Sequence, residues 1–83
     1  VQNLQKIIGQ GHDAERLLND DLLIESFKAV EQSYIRRWIA AEGVDEREQL
    51  HALITALGDV QSHLEEIVQS GVLAEEQLRI SRS

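Results

Sequence analysis

Eighty-three residues, 42% of them apolar and 28% charged, suffice for one small domain and exclude two. The absence of cysteine removes a disulfide scaffold, a thiolate metal site and a cysteine nucleophile from consideration. A net charge of −7 repels phosphate backbones unless the eight basic side chains cluster, and they do not: residues 1–12 carry +1, 13–42 carry −3, 43–70 carry −5 and 71–83 are balanced.

Phe27, Tyr34 and Trp38 are the only aromatic residues, so any core is aliphatic. Residues 1–12 read as an N-terminal arm in which Val1, Leu4, Ile7 and Ile8 recur at helical spacing, predicting a short amphipathic helix. This stretch lacks the apolar centre of a signal peptide, and no window approaches the ~20 apolar residues of a membrane span. The chain begins with valine, so an initiator residue is expected upstream.

Glycines stand at 9, 11, 43, 58 and 71, and all but Gly58 fall where hydrophobic periodicity stops, which marks them as punctuation. Between Gly11 and Gly43, residues 13–42 have helix-forming composition, and Leu23, Phe27, Val30, Tyr34, Trp38 and Ala41 trace one helical face. Ile24, Ile35 and Ile39 widen that face, implying more than one neighbour. Asn19-Asp20-Asp21 interrupts the pattern with capping residues. A short helix over Asp13–Leu18 and a fresh start near Asp20 are predicted, with a continuous bent helix as the alternative.

Asp45 to Glu48 resembles a capping box, predicting a helix start at Asp45. Leu50, Leu53, Leu57, Val60, Leu64 and Ile67 follow at spacings of three and four, the strongest pattern in the chain. Gly58 lies beside this stripe and costs ~1 kcal/mol against alanine unless a neighbouring helix needs close approach there. Gly71 is predicted to end the helix, giving a long element over 45–70 of ~38 Å, with 71–83 as a C-terminal arm. The short connection at Gly43-Val44 forces the two long helices antiparallel.

Catalytic constellations are absent from this pattern. Glu48-His51 and His63-Glu66 have the Glu/His spacing of helical metal sites, but the inward positions of Leu50, Leu53, Leu64 and Ile67 turn them outward, and His51 and His63 lie about 120° apart around the helix. The adjacent carboxylates Asp20-Asp21, Glu65-Glu66 and Glu75-Glu76 point in different directions and suit caps or wetted faces. No phosphate-binding loop, nucleophile elbow or Ser/His/Asp grouping occurs, so neither an enzyme nor a bound cofactor or metal is expected.

The segments LLNDDLLIESF (17–27), YIRRW (34–38) and EREQLHALITALGDVQSHLEEIVQSGVLA (46–74) resemble short acidic helical proteins encoded in the head-morphogenesis and packaging regions of tailed bacteriophages and prophages. The resemblance covers about residues 13–78 and implies a virion- or packaging-related role without any catalytic residue. Small terminase subunits, which assemble rings through antiparallel helical hairpins, are a related group, although their N-terminal helix-turn-helix is not evident here.

The expectation is therefore an all-α fold: a long antiparallel helical hairpin with a short N-terminal helix and a C-terminal arm, oligomeric or docked on a capsid or packaging protein. Its interface would comprise Phe27, Tyr34, Trp38, Leu50, Leu53, Leu57, Val60, Leu64 and Ile67, because an isolated hairpin cannot cover the flanks that carry Leu22, Ile24, Ile35, Ile39, Ile54 and Val68. Two alternatives stand beside it. One is a packaging-ring component touching nucleic acid through Lys28, Arg36 and Arg37; the other is a small acidic adaptor or inhibitor. The virion or the host cytoplasm is the expected location, with no membrane partner.

Overall fold

The computed structural model describes residues 3–82, which form three helices: α1 (Leu4–Leu18), α2 (Asp21–Ala40) and α3 (Val44–Ser81). The fold is all-helical. Val1, the first residue of the expected N-terminal stripe, and Ser83 lie outside the described residues.

Local chemistry sets most of the boundaries. The Asn3 side chain accepts from the Lys6 amide at 3.1 Å and caps α1. At its other end, Asn19 Nδ2 donates to the Glu15 carbonyl, 2.8 Å, and so satisfies one of the terminal acceptors. Asp20 then caps α2 by accepting from the Leu23 amide at 2.9 Å, and Asp21 occupies the positive first turn. The predicted break at Asn19-Asp20 is present.

Two glycine readings are corrected. Gly9 and Gly11 do not end an arm; α1 passes through both, so the separate short helices expected over 1–8 and 13–18 are one element. Gly71 does not end α3, which continues for ten more residues and absorbs most of the expected C-terminal arm. Gly11 and Gly71 explain each other. A Cβ built on Gly11 would lie 2.9 Å from the Gly71 Cα and 3.3 Å from the Ile67 carbonyl oxygen, and one on Gly71 would lie 2.9 Å from the Gly11 Cα. The two backbones touch, and the packing gained offsets a helix-propensity cost of ~1 kcal/mol per glycine.

The turn between α2 and α3 is residues 41–43, which begins two residues and ends one residue earlier than expected. Ala41 is extended and buried, and Arg47 Nε donates to its carbonyl at 3.1 Å, tying the start of α3 to the end of α2. Gly43, not Asp45, is the N-cap of α3, and it supplies no side-chain acceptor. Asp45 and Glu46 sit instead inside the first turn, where they complement the helix dipole.

At 38 residues, α3 is the spine, about 57 Å long. Leu17 and Leu18 share a cleft with Gln61 and Leu64, whereas Leu4 and Ile7 share one with Ala74 and Gln77, so α1 runs antiparallel to the C-terminal half of α3. Phe27 lies at the Gln61–Leu64 level and Ala41 at Arg47, so α2 runs antiparallel along the N-terminal half. The two shorter helices thus follow one another along α3. The result is a slab of 61 × 26 × 14 Å, with a radius of gyration of 17.8 Å where a compact chain of this length has about 12 Å.

Candidate protein-interaction surface

The interior of this slab is small. Among the described residues, the buried apolar set is Ala14, Ala41, Leu50 and Ala74, and the two touching glycines are buried with them. No described residue of α2 is buried. The other large apolar side chains are half-buried between helices or exposed on a flank, because a layer one helix pair thick has two broad faces and almost no inside.

Two heptad-spaced rows of α3 show how the flanks arise. Leu50, Leu57, Leu64, Gly71 and Leu78 form the row facing α1 and α2, and each is buried or half-buried. Leu53, Val60, Ile67 and Ala74 form the neighbouring row. Their burial changes along the helix: Leu53 is 43% and Val60 50% exposed, Ile67 is half-buried, and Ala74 is 3% exposed. The same row is therefore covered beside α1 and open beside α2.

The expected interface residues divide accordingly. Leu50 is committed to the interior of the chain; Phe27, Tyr34, Leu57, Leu64 and Ile67 are half-buried between helices; Trp38, Leu53 and Val60 are exposed. Tyr34 is engaged on its outer side as well, with the Arg37 guanidinium 5.9 Å from its ring centroid. Lys28, Arg36 and Arg37 are all exposed, Lys28 at the junction of the three helices and the two arginines near the end of α2.

Of the six residues that sequence reasoning placed on uncovered flanks, Leu22, Ile24, Ile35 and Ile39 are exposed, whereas Ile54 and Val68 are half-buried. It missed Leu17, Val72, Leu73 and Ile80, which are exposed too, because it assigned their segments to a short helix and a loose arm. Continuing the heptad count past Gly71 brings Ala74 and Leu78 onto the inward rows and leaves Val72, Leu73 and Ile80 off both.

The chain matches no known protein family, no curated protein and no solved structure. Its surface chemistry must be read from its own residues.

Polar groups on this surface are paired locally and wetted. His12 of α1 meets Glu75 of α3, Nε2 to Oε1 2.6 Å, the one ion pair between helices among the described residues, and both side chains are about half or more exposed. Arg16 pairs with Asp13 and Arg79 with Glu76 along their own helices. His63 stands 3.8 Å from Glu66 on an exposed face, and among the described residues no group of three or more His, Asp or Glu side chains could hold a metal ion. The clefts are shallow. That at the three-helix junction encloses about 100 Å³ and is lined mainly by Leu17, Leu18, Leu23, Ile24, Phe27 and Leu64, with Lys28 and Gln61 at its edge. Such a lining takes an apolar side chain of a partner better than a polar substrate. None of the described helices is long and apolar enough to cross a membrane.

Proposed function

We propose that this chain is a non-enzymatic structural or assembly protein of a tailed phage or prophage, in which the α2–α3 helical hairpin multimerises or docks on a capsid or packaging partner. The observation that carries the assembly reading is area. The chain exposes 6527 Å², against about 5,000 Å² for a compact monomer of its mass. The excess, about 1,500 Å², exceeds the ~800 Å² that each partner contributes to a standard protein interface. Trp38, Leu53 and Val60 belong to that excess and lie on the half of the molecule where α2 covers α3 incompletely. The phage context rests on the resemblance of residues 13–78 to proteins of head-morphogenesis and packaging regions.

Sedimentation equilibrium at micromolar concentration tests the homomeric form: oligomers that dissociate on dilution are expected, and a monomer throughout would refute it. Mass spectrometry of purified particles and procapsids tests the context. A packaging-ring component that also touches nucleic acid would do so through the exposed Lys28, Arg36 and Arg37. Its signature is DNA binding that falls steeply with salt and is lost in Arg36→Glu and Arg37→Glu.

A further inference from the structure

One exposed stripe of α2 is complementary to itself. Ile24, Lys28, Glu31 and Ile35 follow at spacings of four, three and four, which places them on a single helical face. All four are exposed, the two isoleucines at 36% and 38%, and among the described residues neither Lys28 nor Glu31 has an ion-pair partner within its own chain. The spacing is the same from either end, and reversal sets lysine against glutamate. A two-fold axis midway between residues 29 and 30 takes 24 onto 35 and 28 onto 31.

We infer that α2 pairs antiparallel with α2 of a second copy about that axis, each Lys28 facing the Glu31 of the other chain and each Ile24 facing the other chain's Ile35. The proposal rests on the assembly reading above and specifies its contact. Charge favours a second copy over an unrelated protein. Asp20, Asp21 and Glu25 at the start of α2 lie within about a quarter turn of the stripe, and Arg36 near its end lies on the same side as Glu25, so antiparallel alignment brings the acidic start of each helix near Arg36 of the other, whereas Arg37 turns to the opposite side, over Tyr34. A parallel alignment would set like against like. The helix dipoles oppose in the same arrangement. The net −7 of the chain does not stand in the way, because it is concentrated in residues 43–70, whereas residues 21–40 carry three acids and three bases.

Geometry permits the approach. Ile24 and Lys28 open onto the same cleft as Gln61 of α3, so this face of α2 belongs to a broad side of the slab rather than to its edge. On that side of α3, one turn from Gln61, stands Gly58, where an added Cβ would meet nothing within 4 Å. Two slabs stacked on this side form a four-helix arrangement along α2 and the N-terminal half of α3, and leave the Leu53–Val60 row, on the opposite side of α3, uncovered. Isologous contact of this kind uses every pair twice, so two Lys28–Glu31 pairs and two Ile24–Ile35 contacts form per dimer.

Charge reversal and its reciprocal decide the matter, read by sedimentation equilibrium at low ionic strength with circular dichroism confirming unchanged helix content. Lys28→Glu and Glu31→Lys each place two like-charged pairs across the axis and are expected to weaken self-association about tenfold or more. The double variant K28E/E31K restores opposite charges and is expected to return association to within about threefold of the parent. Because the chain has no cysteine, register is read independently: an equimolar mixture of Ile24→Cys and Ile35→Cys chains should cross-link on mild oxidation, and each variant alone should not. An oligomer indifferent to both reversals, or cross-linking equally well within each variant, would overturn this contact while leaving assembly standing. A wild-type chain that stays monomeric would overturn both.

Discussion

The two halves of α3 make a controlled comparison, since one continuous helix with one heptad pattern meets two different partners. Beside α1, the contact is made by Gly11, Ala14, Gly71 and Ala74, all buried, and the backbones touch at the glycine pair. Beside α2, the facing residues are Leu, Val, Phe, Tyr and Trp, and no described residue of α2 is buried. Small residues close an interface between two helices; large ones leave flanks that two helices alone cannot cover. Beside α1 the row of Ile67 and Ala74 is covered within the chain; beside α2 Leu53 and Val60 of the same row stay exposed.

The largest expected effect lies at the one point where the open half is tied down. Leu50 is 2% exposed beside the buried Ala41. Leu50→Ala should lower the unfolding free energy by about 2–5 kcal/mol in urea titration. A loss under 1 kcal/mol would mean that the α2–α3 contact contributes little to the fold. Next comes the glycine pair. Gly71→Ala pushes a Cβ against the Gly11 backbone, which cannot yield as a flexible side chain would, and should cost about 1–3 kcal/mol despite the better helix propensity of alanine.

Gly58 is the matched control on the same helix. With nothing near its added Cβ within the chain, Gly58→Ala should raise the stability of the isolated chain by up to ~1 kcal/mol. Opposite signs at 58 and 71 would establish the contrast between the halves; equal signs would break it. The smallest effect is expected at Val60, half exposed on the open flank. Val60→Ser should change thermal stability under dilute conditions by no more than about 0.5 kcal/mol. A larger loss would show that α2 covers this flank in solution.

Much of the secondary structure was legible because it is set locally. The break at Asn19-Asp20 needs only side chains that bond their own backbone, and Asp20 does so three residues ahead. The apolar stripe from Leu50 to Ile67 follows from helical periodicity alone, though Leu53 and Val60 on it are exposed. What misled was glycine. Gly9, Gly11 and Gly71 carry the same local weakness as a helix terminus, and nothing within a few residues of Gly71 reveals that Gly11, 60 positions away, lies against it. The error propagated: ending a helix at 70 removed the platform for α1, so Leu17, Val72, Leu73 and Ile80 were not recognised as part of a continuous surface. Of the expected interface, Leu53, Val60 and Trp38 are exposed, whereas Leu50, on the same stripe, belongs to the interior. The stripe itself does not say which of its residues a helix of the same chain will cover.

The sequence by itself determined that the chain is helical, where α2 begins, and that α3 carries an apolar stripe, since capping chemistry and the 3.6-residue period act over a single turn. The tertiary structure alone decided whether a glycine stops a helix or joins two, and which apolar rows are closed or left open. Those outcomes depend on how near a second helix can come, and that distance is fixed by the side chains of both.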